Sequence, residues 1–319
     1  MKTFDELIRC IILDTCFVTI LPMITSDITA AFGSPMLLGE CPLWDPELQR
    51  LYWIDIPGLT LHQLDPVTHQ HCEWSLVSEP GCIACCASGG IIIALRHGIE
   101  HFCPLSGQFT SLIQAPYDQD KMRFNDGRCD SAGRFVLGTL YEPRDKTDAL
   151  LYSLSKGNLA LLGPRATVSN GVAFSPDNRR LYHSDTSAHQ ISIYDYELQS
   201  GSVSNQRLFQ QFSKDKSNNY AGRPDGAAVD SEGAYWCAMF EGGALLRFSP
   251  DGELLLRLPL PVKCPTMLAF GGADLKTLFI TTARHNRPAA ELEQYPLSGH
   301  LLKVSVTVAG LNEHAYLMQ

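Results

Sequence analysis

Turns rich in glycine and polar residues cut the chain into short apolar runs, some alternating with period two and some apolar throughout, which is the signature of strands. One block recurs: a polar or glycine-bearing segment, a strand of small residues, a turn, then an apolar strand with aromatics. Copies begin near Glu40 (ECPLWDPELQRLYWIDI), Gly81 (GCIACCASGGIIIALRHG), Asn125 (NDGRCDSAGRFVLGTL), Asn170 (NGVAFSPDNRRLYHSDT), Asp225 (DGAAVDSEGAYWCAMF) and Thr266 (TMLAFGGADLKTLFITT). Their spacing of roughly 40 to 55 residues is that of propeller blades. Asp130-Ser131-Ala132-Gly133 and Asp230-Ser231-Glu232-Gly233 are hairpin turns by composition. Runs such as ALLYSLSKGNLALL supply two outer strands behind each pair. The pattern predicts an all-β fold, a six-bladed β-propeller. No long 3.6-residue period occurs between residues 35 and 319, so an α/β fold would lack its crossover helices. Phosphate-loop, dinucleotide, nucleophile-elbow and zinc-protease motifs are absent.

The predicted domain is a single propeller over residues 31–319, preceded by an N-terminal extension, residues 1–30. Within the extension, CIILDTCFVTILPM is interrupted by Asp14 and preceded by Asp5 and Glu6, so it reads as uncleaved. It is too short to span a bilayer. Met23 offers a second plausible beginning, and the first ~20 residues read either as an upstream addition or as an appended helix.

Composition narrows the function. The 319 residues are 45% hydrophobic and include 34 acidic against 25 basic side chains, a formal charge of −9 without runs of one sign. A nucleic-acid partner is therefore not expected. Eleven cysteines, most inside apolar runs, read as reduced packing residues in a cytoplasmic protein, Cys82, Cys85 and Cys86 among them. Nothing in the chain signals an oligomeric state.

The first position of the repeat carries the chemistry. Four of its six occupants are Glu40, Asn125, Asn170 and Asp225, all with side-chain oxygens. Equivalent positions in a propeller are related by rotation about the axis, so the four are expected to converge at one mouth of the channel. Taken singly, Asn or Asp before Gly is an ordinary turn residue. Common phase, and Glu40 with no glycine after it, argue for a hard-oxygen site for a divalent cation. Arg123, two residues before Asn125, faces the same side and either holds a substrate oxygen or pairs with a carboxylate. Glu142 follows the next strand, as a substrate contact or a loop carboxylate. The segment APYDQDKMRFNDG is a candidate lid. His62, His69, His71, His97 and His101 fall on outer hairpins, and His183 and His189 nearer the inner edge of blade 4; all are read as packing or surface residues.

These stretches, in this order, together with GECPLWDPELQRLYWIDI and PTMLAFGGADLKTLFITTAR, resemble the SMP-30/gluconolactonase/regucalcin-like family from about Pro35 to the C-terminus. The resemblance implies one divalent ion (Ca²⁺, Zn²⁺, Mn²⁺ or Mg²⁺) held by Glu40, Asn170 and Asp225, with substrate contacts from Arg123, Asn125 and Glu142. It implies hydrolysis of a small-molecule sugar lactone to an aldonic acid: the metal polarises the carbonyl and activates a water, and Asp225 acts as general base. Cys41 departs from the family's usual Gly-Glu-Gly-Pro, with metal preference, oxidation sensitivity or packing as its possible consequences. The rival reading is a non-catalytic calcium-binding or interaction propeller, and a third is the same site used on another ester.

Overall fold

A computed structural model of the chain describes residues 23–217 and 219–318. The readings made for residues 1–22 lie outside these. The described chain forms six four-stranded antiparallel sheets around one axis, the expected six-bladed propeller. The inner strands are Gly39–Asp45, Pro80–Cys85, Met122–Cys129, Ser169–Phe174, Arg223–Val229 and Pro265–Gly271, in blades 1 to 6. Blade 6 takes its outermost strand from the other end of the chain, where Thr29 and Ala30 pair with Lys303 and Leu302. The propeller therefore begins before residue 31, and its ring is locked by pairing between the two ends.

Burial follows radius. Second strands such as Ile91–Leu95, Phe135–Tyr141 and Tyr235–Phe240 are apolar along almost their whole length because both faces pack against neighbouring blades. Outermost strands such as Gln108–Gln114 and Ser202–Gln211 are mostly exposed and carry polar residues. Trp53, Trp236, Tyr52, Tyr182 and Tyr235 are the largest fully buried side chains. Nine described cysteines are free thiols. Among the described residues no helix is long and apolar enough to cross a membrane.

One end of the channel is bridged by a side chain. Arg128 crosses it from blade 3, donating from Nε to Val172 O (3.2 Å) and from Nη2 to Ala227 O (2.7 Å), and pairs with Glu313 of the C-terminal segment. The opposite mouth stays open.

The hairpin turns tie sequence to stability. Asp230, fully buried, accepts from the amides of Glu232 and Ala234 (both 3.0 Å) through Oδ1, and from Trp236 Nε1 and Arg247 Nε (both 2.8 Å) through Oδ2. Asp130 repeats the arrangement with Ala132, Arg134 and Tyr196. Truncating Asp230 strands a largely buried guanidinium and three other donors. Asp230→Ala is expected to cost about 3 kcal/mol in urea unfolding, and a loss under about 1 kcal/mol would show the turn to be incidental.

At the outer edge of blade 1, His62 stacks on Trp53 at 4.9 Å between ring centroids and 7° between planes, and its Nδ1 lies 3.1 Å from His71 Nε2. Burial, then the neighbouring His71, pushes His62 down to about 4. The unfolded chain takes up this proton near 6.5, the folded chain near 4, so the contribution is intact above 6.5 and lost as pH falls across that window. It amounts to at most about 3 kcal/mol. The fall in urea stability between pH 7.5 and 4.5 should be smaller in His62→Gln by at least about 1 kcal/mol; equal falls would refute the assignment.

Candidate active site

All six inner strands contain one residue more than the ladder needs, at Gly81 in blade 2 and Thr266 in blade 6 and beside the four polar positions in the others. Glu40 pairs with Ile54 and then Leu43 with Tyr52; Phe124 with Thr139 and then Gly127 with Leu137. Asn170 pairs with Ser184 and then Ala173 with Tyr182; Pro224 with Met239 and then Ala227 with Cys237. Each is a β-bulge, which bends the strand and re-aims the side chains beside it. In blade 4 the bulge needs Gly171, at φ +61°, where a Cβ would lie 2.4 Å from Tyr235 Oη and 2.5 Å from Ser184 Oγ. Cys41 takes the equivalent place in blade 1, also left-handed at φ 47°. Its Sγ turns toward blade 2, accepting from Ile83 N (3.3 Å) and donating to Ile83 O (3.5 Å). Burial pushes the thiol up, so it stays protonated. Its side chain packs between blades rather than lining the cavity.

The bulges open onto a cavity of about 270 Å³ at the open mouth. Glu40, Asn125, Asn170 and Asp225 all line it, as do the residues two positions before each: Leu38, Arg123, Val168 and Arg223. A chain of hydrogen bonds joins three blades. Arg123 Nη1 donates to Asn125 Oδ1 (2.8 Å), Asn125 Nδ2 to Asn170 Oδ1 (2.9 Å), and Asn170 Nδ2 to Asp225 Oδ1 (2.6 Å) and Thr186 Oγ1 (2.8 Å). Thr186 in turn donates to Pro224 O at 2.7 Å.

The electrostatics are those of crowded carboxylates. Burial, then repulsion from Asp225 and Asp126, raises Glu40 well above the usual carboxylate range, and among the described residues its side chain accepts one hydrogen bond, from Cys41 N at 3.3 Å. Asp225 is raised as well, chiefly by burial, against the opposing pull of Arg223. Asp126, also raised by burial, accepts from Gly127 N and Val172 N. Two carboxylates with unused lone pairs beside an amide are a hard-oxygen donor set, and Glu40, Asn170 and Asp225 fit a divalent cation.

Glu142 stands outside the cavity lining. Arg96 Nη2 holds it at 2.6 Å and its side chain is 38% exposed, while its charge still acts on Arg123. The candidate lid does not cover the mouth: Tyr117 pins it, accepting from Phe124 N and donating to Arg96 O, and none of residues 115–121 lines the cavity. Arg144, Ser187, Phe240, His285 and Arg287 line it instead. Of the lining residues sequence reasoning missed, Arg223 had a readable signal, since it precedes Asp225 as Arg123 precedes Asn125. Arg144, His285 and Arg287 sit on loops with no repeat phase. His183 bonds Ser169 (2.7 Å) and His189 bonds Tyr220 (2.8 Å), away from the cavity. A further group of potential metal ligands, His62, His71 and Glu73, lies on the outer strands of blade 1.

A family-wide sequence profile, the SMP-30/gluconolactonase/LRE-like region, matches residues 38–284. The chain belongs to this family. A 6-deoxy-6-sulfogluconolactonase of Pseudomonas putida is 44% identical over 281 residues, 88% of this chain and 94% of the relative. A regucalcin of Oryctolagus cuniculus is 30% identical over 292 residues, 87% and 94% of the two chains. The crystal structure of a calcium-binding regucalcin of Agrobacterium tumefaciens superposes with a TM-score of 0.85 at 26% identity, covering 90% of this chain and 96% of that one.

The packing of Cys41 makes a chemical prediction for this family member. Brief maleimide labelling of the native protein should modify exposed Cys72 and spare Cys41, Cys82 and Cys129, as read by peptide mass spectrometry. Rapid native labelling of Cys41 would contradict its placement.

Proposed function

We propose that the protein hydrolyses a sugar lactone to its aldonic acid with the help of one divalent cation. The observation that carries this is the pair of buried carboxylates, Glu40 and Asp225, beside the Asn170 amide and the Arg123/Asn125 pair in one open cavity. A scaffold gains nothing from setting like charges together out of water. The 44% identical relative, named for a lactone of this class, supports the same reading.

Glu40, Asn170 and Asp225 would hold the cation, which supplies Lewis-acid polarisation of the lactone carbonyl. Asn170 ties down one oxygen of Asp225, leaving Oδ2 for a cation or a proton. Asp225 takes a proton from the attacking water as its oxygen bonds to the acyl carbon. The ring C–O bond then breaks, and the proton goes to the departing ring oxygen, which becomes a hydroxyl. Arg123, fixed on Phe124 O and Asn125, and Asn125 itself orient the substrate oxygens. Glu142 acts through the charge it places near Arg123.

The test follows proton release from glucono-, galactono-, arabinono- and xylono-lactone after EDTA treatment, restoring Ca²⁺, Mg²⁺, Mn²⁺ or Zn²⁺ singly. Metal-restored turnover is expected, reduced at least ~100-fold in Asp225→Ala and less than ~10-fold in Glu142→Gln. Calorimetry should show the cation bound by the wild type and lost in Glu40→Gln. Cation binding with no turnover on any lactone would favour a non-catalytic calcium-binding module.

A further inference from the structure

Four arginines line the cavity, Arg123, Arg144, Arg223 and Arg287, against two carboxylates, Glu40 and Asp225. Two have other roles, Arg123 in the deep pair that orients the substrate and Arg287 in a clamp with two glutamates. Arg123 is buried and spends Nη1 on Phe124 O and Asn125 Oδ1. Arg287 clamps Glu291 through Nε and Nη2 (2.7 and 2.6 Å) and reaches Glu241 through Nη1 (3.0 Å).

Arg223 is different. It approaches Glu241 no closer than 3.5 Å, and that carboxylate is already held by Lys216 at 2.7 Å and Arg287 at 3.0 Å. Its Nε is buried without a partner, and its guanidinium lies on the Phe240 ring, 5.0 Å from the centroid. A buried guanidinium donor without an acceptor is costly unless a ligand supplies one. Arg144 has no ion pair or side-chain hydrogen bond among the described residues, is exposed at the rim, and sits in the left-handed region at φ 58°. Arg144 and Arg223 line the same cavity, so they face one space.

We infer that Arg144 and Arg223 form an anion subsite, selecting sugar lactones that carry a sulfonate, phosphate or carboxylate at the end remote from the lactone carbonyl. This rests on the lactonase reading above. Burial places the two groups at opposite ends of the substrate: Asn125, Asn170 and Asp225 lie deep, whereas Arg144 is exposed. With Glu40 and Asp225 engaged at the carbonyl end, two planar, permanently charged forks remain for an oxyanion. The Phe240 ring under Arg223 keeps that fork fixed when the cavity is empty of substrate.

The experiment compares kcat/KM for glucono-1,5-lactone with its 6-deoxy-6-sulfo and 6-phospho counterparts and with a glucarolactone, separating the three anion types. Wild type should favour at least one charged lactone over the neutral one by ~30-fold or more, a preference that shrinks as ionic strength rises. The charged-to-neutral ratio should fall about 10-fold in Arg144→Ala and about 100-fold in the double variant with Arg223→Met. A wild-type ratio near one, or an unchanged ratio in Arg144→Ala, overturns the subsite. Calorimetric binding of 6-sulfogluconate and 6-phosphogluconate against gluconate reads the same contact without turnover. If no lactone is hydrolysed, tighter binding of a charged acid that Arg144→Ala abolishes upholds the subsite while the lactonase reading fails. Equal binding of charged and neutral acids refutes the subsite.

Discussion

The open mouth depends on the extra residue that every inner strand carries, and on the polar side chains that blades 1, 3, 4 and 5 place beside it. A regular strand sends successive side chains to opposite faces, and in a propeller both faces are claimed by neighbouring blades. The bulge breaks that alternation at Glu40, Asn125, Asn170 and Asp225, and releases them toward the axis. Gly171 shows how little space is left, since a Cβ there would strike Tyr235 and Ser184. Cys41 meets the same constraint differently, accepting left-handed strain and recovering contacts with the backbone of Ile83.

Blades 2 and 6 set the asymmetry of the site. Their corresponding positions, Gly81 and Thr266, serve packing between blades: a Cβ at Gly81 would meet Phe124 O at 2.3 Å, and Thr266 Oγ1 donates to Gly39 O at 2.6 Å. The polar set therefore spans four of six blades and stays one-sided. At the other end Arg128 ties blade 3 to blade 5 and to the C-terminal segment, beside a second cavity of about 230 Å³. Charge is segregated in the same way, with carboxylates deep and partly uncompensated guanidinium groups toward the rim.

This arrangement explains why an electrostatically unfavourable cluster persists in a stable ring. The hydrogen-bond chain from Arg123 to Asp225 crosses blades 3, 4 and 5, each fixed by its own sheet, and blades 3 and 5 also by the buried turn aspartates Asp130 and Asp230. Rigid elements hold the groups, so the repulsion among Glu40, Asp126 and Asp225 is borne by the whole propeller rather than relieved by local movement.

The sequence alone determined the blade count, the strand character and the convergence of Glu40, Asn125, Asn170 and Asp225, because rotational symmetry converts common phase directly into common location. Arg223 is legible in the same way, since it precedes Asp225 as Arg123 precedes Asn125. Tertiary structure decided the rest. Closure by Thr29 and Ala30 depends on which edge of blade 6 the N-terminus meets, and a two-residue strand has no pattern of its own. The pairing of Glu142 with Arg96 and the arrival of Arg144, His285 and Arg287 at the rim are set by loops whose side chains obey no period. Periodic strands broadcast their geometry in the sequence; aperiodic loops acquire theirs only by packing onto a finished ring.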